Sequence, residues 1–250
     1  MILTLIQNWF CPHSNAKWLV IICLMSLPFS AKAQKENNAN VLSWYQYKGE
    51  VLLKNRFSVV FDLQHRRQDL VNFSSQQVVR PGLAYTLKSN VKLTLGTALF
   101  WHNINKSNNI YRFEARPYVF AEWKQALGKI QVIHRSRFEL RYNKKTNGSE
   151  IVNGYNFNYR AGHKLGLSIP IISQSDQKWH VEVYDEVLVN FGKRILRNYL
   201  DQNRVYAGLR KTMSTKMSLK LGYMYVFVPS SNSTDFVTQH IFVLGISQKL

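Results

Sequence analysis

The chain has 250 residues, 46% of them hydrophobic and 19% charged, and its 33 Lys and Arg against 14 acidic residues give a formal charge of +19. No run of 18 apolar residues occurs, which excludes a spanning helix; a mean hydropathy of -0.23 does not exclude a membrane barrel, whose strands are only half apolar. The basic residues are spread over alternating positions and loops instead of one patch, which argues against a nucleic-acid partner and for contact with lipopolysaccharide phosphates or small anionic solutes.

Residues 1–33 read as a secretory signal: positive charge at Lys17, an apolar run from Trp18 to Phe29, and a small-x-small site at Ala31-Lys32-Ala33 before Gln34. The apolar run is too short to span a bilayer. Ile22 ahead of Cys23 departs from the small residue that lipoprotein signals place there. The stretch before Lys17 is long for such a signal and leaves a start downstream of Met1 open. Both cysteines, Cys11 and Cys23, fall in this segment, so the expected mature chain, one domain over 34–250, has no thiol chemistry. Loss of Lys17 and Lys32 lowers the charge from +19 to +17.

After a polar start at Gln34–Asn40, strand patterns follow one another. Val41–Lys48 carries Trp44, Tyr45 and Tyr47. Arg56–Arg67 alternates Phe57, Val59, Phe61 and Leu63 against Ser58, Asp62, Gln64 and Arg66. Gln77–Leu87 and Val91–His102 form a hairpin, apolar on one face and small on the other at Gly82, Ala84, Gly96 and Ala98, where a curved sheet needs room. Tyr111–Trp123 and Ile130–Tyr142 are the most regular pair. Each is about 13 residues long, above the ~5–6 of soluble strands and the ~9–11 that a tilted strand needs to cross a bilayer. One face of each is apolar, and the other is a ladder of Arg and Glu. Tyr155–Ile169, Trp179–Asn190, Tyr199–Lys211, Met217–Phe227 and Phe236–Gln248 complete the series.

Short connections (Lys88–Asn90, Lys124–Gly128, Thr212–Thr215) alternate with longer polar ones (Asn103–Asn109, Asn143–Asn153, Phe191–Asn198, Val228–Asp235), as expected of short periplasmic turns and longer outer loops. The fold class that follows is all-β: an antiparallel transmembrane outer-membrane β-barrel. The runs number 11, whereas bacterial single-chain barrels have even counts, so 10–12 strands are expected. A soluble periplasmic β-sandwich binding an acidic ligand is the alternative.

The strongest constellation of functional side chains is the inward ladder of Arg112, Glu114, Arg116, Glu122, Arg135, Arg137, Glu139, Arg141, Arg160, Glu182, Glu186 and Arg204. Crossed Arg–Glu pairs would fill a lumen only modestly wider than that of the ~8-strand barrels that side chains close; a narrow constriction selecting anions is the other reading. Asp185 stands on an otherwise apolar face and points to a bulge, a membrane edge or a protein contact. His102, His163, His180 and His240 show no metal spacing, and no cofactor pattern is present.

The pieces Tyr184-Asp185-Glu186, Leu200-Asp201-Gln202-Asn203-Arg204-Val205-Tyr206-Ala207-Gly208 and Leu221-Gly222-Tyr223-Met224-Tyr225 resemble the uncharacterised family catalogued as domain of unknown function 2490, as do Trp44 and Arg135-x-Arg137 followed by Glu139 and Arg141. The resemblance covers nearly the whole mature chain. It implies a Gram-negative outer-membrane barrel and no known activity, with outer-membrane lipid and the barrel-assembly machinery as partners. Such chains commonly end in an aromatic, where this one ends Gln248-Lys249-Leu250. His134-x-Ser136 on the outward face is similar to outer-membrane lipases and lipid A deacylases, and implies a lipid-acting hydrolase with Asn147 as an orienting group. Those enzymes carry Asn directly after the Ser, where this chain has Arg137.

Overall fold

The structure, a computed structural model, describes residues 37–250 apart from 89, 106, 175, 176, 194, 196, 197 and 230–234. The leader expected at 1–33 lies outside the described residues. Eleven strands follow in chain order: β1 (Asn37–Leu52), β2 (Phe57–Gln68), β3 (Phe73–Lys88), β4 (Val91–Asn105), β5 (Ile110–Leu127), β6 (Ile130–Asn147), β7 (Glu150–Gln174), β8 (Gln177–Phe191), β9 (Leu200–Thr212), β10 (Met217–Pro229) and β11 (Phe236–Lys249). Each pairs with its neighbours in sequence, and β1 pairs with β11 to close the barrel. One closed sheet, instead of two packed ones, rules out the sandwich.

The closing seam departs from a purely antiparallel barrel. With 11 strands the first and last run the same way, so β1 and β11 pair in parallel from Asn37↔Phe236 to Glu50↔Lys249. A second departure concerns Asn143–Asn153, expected as a loop. There β6 continues to Asn147 and β7 begins at Glu150. Gly148, at φ 58°, supplies the left-handed backbone that so tight a turn needs. Polar side chains do not stop a strand whose partner keeps its backbone hydrogen bonds satisfied, so this hairpin extends beyond the apolar belt.

The alternation in sequence becomes two unlike surfaces. Leu83, Leu95, Val119, Phe138, Leu165, Val205, Leu221 and Phe242 are exposed on the outside. Aromatic pairs flank this belt: Phe57–Tyr85 toward the end of short turns, Trp101–Phe113 and Tyr142–Phe157 toward the other. Inside, Ala84, Ala98, Phe100, Tyr118, Tyr206, Met224 and Ile241 are buried beside buried Glu114, Glu139, Arg160 and Glu186. Glycines admit the inner rings. Tyr118 lies over Gly82 and Gly96, its hydroxyl donating to the Pro81 carbonyl at 3.0 Å, and Tyr206 lies over Gly208 and Gly222. A Cβ at Gly96 would meet both the Pro81 carbonyl oxygen and the Tyr118 ring.

Candidate functional site in the lumen

Alternation turns every second side chain of each strand inward, and long guanidinium arms then reach neighbours two or three strands away. Glu114 on β5 is fully buried. Its Oε1 accepts from Arg141 Nε on β6 at 2.8 Å, and its Oε2 accepts from Arg116 Nη2 at 2.7 Å and faces His102 Nε2 on β4 at 2.8 Å. Arg141 Nη1 continues to Asp201 Oδ1 on β9 at 3.3 Å, and Asp201 Oδ2 accepts from Arg160 Nη1 on β7 at 2.9 Å. Arg160 Nε donates to Glu139 Oε2 on β6 at 2.5 Å, and Arg137 stands 3.5 Å from the other Glu139 oxygen. Arg137 also contacts Glu186 on β8, which accepts from Arg135 Nη2 at 2.9 Å and from Arg204 Nη1 at 3.3 Å. The chain of ion pairs is unbroken from Glu114 to Arg204 across the five consecutive strands β5 to β9, and His102 on β4 meets its Glu114 end.

A carboxylate this deep stays charged only because two or more cations replace its water. Apolar walls support the network: Val78, Ala98, Phe100, Tyr118 and Phe120 form one buried cluster, and Tyr206, Met224, Val226, Ile241 and Val243 another, with Trp44 against it. Arg116 stacks on Phe100 at 3.7 Å, and Arg66 on Trp44 at 3.7 Å. A cavity of about 450 Å³ opens at the short-turn end, lined by Lys48, Glu50, Lys92, Tyr118 and Glu122 among others. A second, of about 340 Å³, opens at the end with the longer loops. The two share no lining residue, and Arg137, Glu139 and Glu186 line neither. These three form the waist between the vestibules.

Of the twelve ladder residues, the structure brings nine into this network: Glu114, Arg116, Arg135, Arg137, Glu139, Arg141, Arg160, Glu186 and Arg204. Glu182 forms a separate group with Arg210 at 2.6 Å and Lys220 at 3.3 Å, and Glu122 has Lys124 at 3.8 Å. Arg112 shares the inward register, with its Nε buried and unpaired. Asp201, which bridges two arginines, has the parity of outward Val205 and is invisible to alternation. The register shifts from Leu188↔Gln202 to Val189↔Leu200, so Asp201 is the extra residue of a bulge that turns it inward. Its signal in the sequence was its place in Leu200-Asp201-Gln202-Asn203-Arg204. His102 lies on the inner face of β4 and joins the network, beyond the ordinary polar role expected of it.

The outward face holds a separate cluster. Ser136 Oγ lies 2.9 Å from His163 Nδ1, and His163 Nε2 lies 3.4 Å from His134 Nδ1. The His134 ring stacks on Trp123 at 4.8 Å and 5°. The partner of Ser136 is therefore His163 on the next strand, directly opposite in register, and not His134 two residues back. Asn147 pairs with Glu150 at the hairpin end, eleven residues along β6 from Ser136, and cannot orient this group. Asp185 does not mark a bulge; its Oδ1 accepts from Asn203 Nδ2 at 2.6 Å on the outer wall.

A family model described as "Protein of unknown function (DUF2490)" matches residues 42–237. Among solved structures the chain is similar to one titled "NanC porin structure in rhombohedral crystal form", with 13% identity, a TM-score of 0.47, and coverage of 84% of this chain and 99% of that one. It is also similar to the beta domain of the Bordetella autotransporter Brka, with 12% identity, a TM-score of 0.41, and coverage of 70% of this chain and 78% of the other. No curated protein matches.

Proposed function

The chain belongs to the family of proteins of unknown function catalogued as DUF2490, and we propose that it serves in the outer membrane as an occluded barrel: a structural, envelope-associated protein whose lumen is closed at rest. It is exported with cleavage after Ala33, inserted by the barrel-assembly machinery, and surrounded by outer-membrane lipid and lipopolysaccharide. The observation that carries this reading is the unbroken chain of ion pairs between two vestibules that share no lining residue. A solute would have to break buried pairs to pass, and the arginine excess would favour an anion. Liposome swelling tests it. Vesicles carrying the folded protein, identified by its faster gel migration before boiling, are expected to swell in small sugars and organic acids no faster than empty ones. Rapid swelling makes the barrel an open pore.

A second reading has one observation behind it, the 2.9 Å contact between Ser136 Oγ and His163 Nδ1 on the outward wall. In a lipid-acting hydrolase, Ser136 would attack an acyl carbonyl while His163 takes its proton and His134 holds the His163 ring. The neighbouring backbone N–H groups are committed to the strand ladder, so the developing oxyanion has no evident donor. Labelling by a serine-directed fluorophosphonate that disappears in Ser136→Ala and in His163→Ala would favour this reading. Absence of labelling in the folded wild type would end it.

A further inference from the structure

The vestibule at the longer-loop end is lined by Arg66, Arg116, Arg141, Arg160, Arg204 and His102, and by no acidic residue. The carboxylates that answer the arginines lie behind them, with Glu114, Glu139 and Glu186 at 2% exposure or less. The balance is uneven. Six arginines share four carboxylates in the network, and Arg66 bonds none. Arg66 is held by neutral groups instead: Nε and Nη2 donate to Gln64 Oε1 at 3.0 and 2.6 Å, Nη1 bonds Gln76 Oε1, and the guanidinium stacks on Trp44. Gln76 in turn lies 2.6 Å from His102 Nδ1. Five guanidinium groups therefore line this vestibule, one of them with no carboxylate of its own, and a mobile anion is the remaining source of neutralisation for the positive charge they present.

We propose that this vestibule is a binding site for a compact oxyanion carrying two or more charges, a polycarboxylate or a phosphate compound. Arg66 and Arg204 are its primary ligands, and the Glu139–Arg137–Glu186 waist is its floor. Both arginines meet Trp44, with Arg66 at 3.7 Å and Arg204 at 5.8 Å from the ring, so one aromatic plate positions two guanidinium groups. Paired guanidinium forks suit the oxygens of carboxylate and phosphate. The volume of about 340 Å³ falls at the lower end of the range for small-molecule sites. The site deepens the occluded-barrel reading, on whose closed floor it rests.

The test uses the folded mature barrel in detergent, titrated with citrate and with inorganic phosphate at constant ionic strength set by sodium chloride. Binding is read by calorimetry and by the shift in thermal unfolding. Saturable binding of one or both anions that survives excess chloride is expected, and the two titrations distinguish polycarboxylate from phosphate preference. Arg66→Gln should weaken it at least about tenfold, the worth of one charge-assisted hydrogen bond. Gln76→Glu, which removes no cation but adds a negative charge to the cavity wall, should do the same. Lys92→Gln in the other vestibule should leave it unchanged. Should Arg66→Gln fail to fold, Gln76→Glu decides. Stabilisation that chloride reproduces, or equal affinity in wild type and Gln76→Glu, overturns the proposal. A barrel silent to solutes that takes neither anion sinks this site alone; a conducting wild type removes the floor, and the occluded-barrel reading with it.

Discussion

Replacing Glu186 with glutamine removes one charge and almost no volume from the waist. Three arginines depend on that carboxylate in unequal measure. Arg137 keeps Glu139 at 3.5 Å, and Arg204 keeps the Gln202 amide oxygen at 2.8 Å. Arg135 loses the carboxylate it bonds at 2.9 Å, and its Nε is already buried without a partner. Removing one member of a buried ion pair destabilises by about 3–5 kcal/mol, because the remaining charge is left without its counter-charge. The amide still accepts a hydrogen bond, which puts the expectation at the lower end, about 3 kcal/mol or a factor of roughly 150 in the folding equilibrium. Urea titration of the barrel in lipid vesicles, followed by tryptophan fluorescence and by unboiled gel migration, measures it. Glu122→Gln is the comparison. Its Lys124 partner is 3.8 Å away and half exposed, so under about 1 kcal/mol is expected. Equal costs for the two substitutions would refute the claim that the waist is a buried, mutually dependent network.

Leu95 is 65% exposed on the outer wall, and Leu95→Arg should destabilise insertion by about 2–4 kcal/mol, whereas Thr94→Arg, directed into the short-turn vestibule, should be far milder; similar effects would reverse the assigned faces. Gly96→Ala should destabilise by about 1–3 kcal/mol through overpacking, since the new methyl meets the Pro81 carbonyl as well as the movable Tyr118 ring; a neutral result would show that Tyr118 does not occupy this glycine lane. N-terminal sequencing of protein from the outer-membrane fraction is expected to begin at or near Gln34, and retention of residues 1–33 would contradict the export reading.

The inner and outer faces were legible because period-two alternation is local: Arg112 to Glu122 and Arg135 to Arg141 needed only their own strands to declare a face. What alternation cannot supply is partnership. That Glu186 serves arginines of β6 and β9 depends on strand tilt and on side-chain reach, neither of which is written within one strand. Asp201 was hidden for a sharper reason, because one extra residue opposite Leu188 and Val189 inverts its parity. His163 was likewise unreadable as the partner of Ser136, since the register between β6 and β7 is set by the hairpin at Gly148 and the shift between Lys144 and Thr146. The 11 runs and the closed barrel were legible in the alternation, whereas the parallel β1–β11 seam was not, because strand direction at the closure follows from an odd count that the even-strand rule disfavours.

Current through single barrels in a planar lipid bilayer tests the ion-pair closure most directly, recorded for the wild type and for the double substitution Glu114→Ala with Glu139→Ala. The double variant removes two of the three fully buried acids and takes from Arg116, Arg141, Arg160 and Arg137 one carboxylate each. A silent wild type and an anion-selective current in the variant are expected. Steady conductance from the wild type, or cation selectivity in the variant, would contradict the closure.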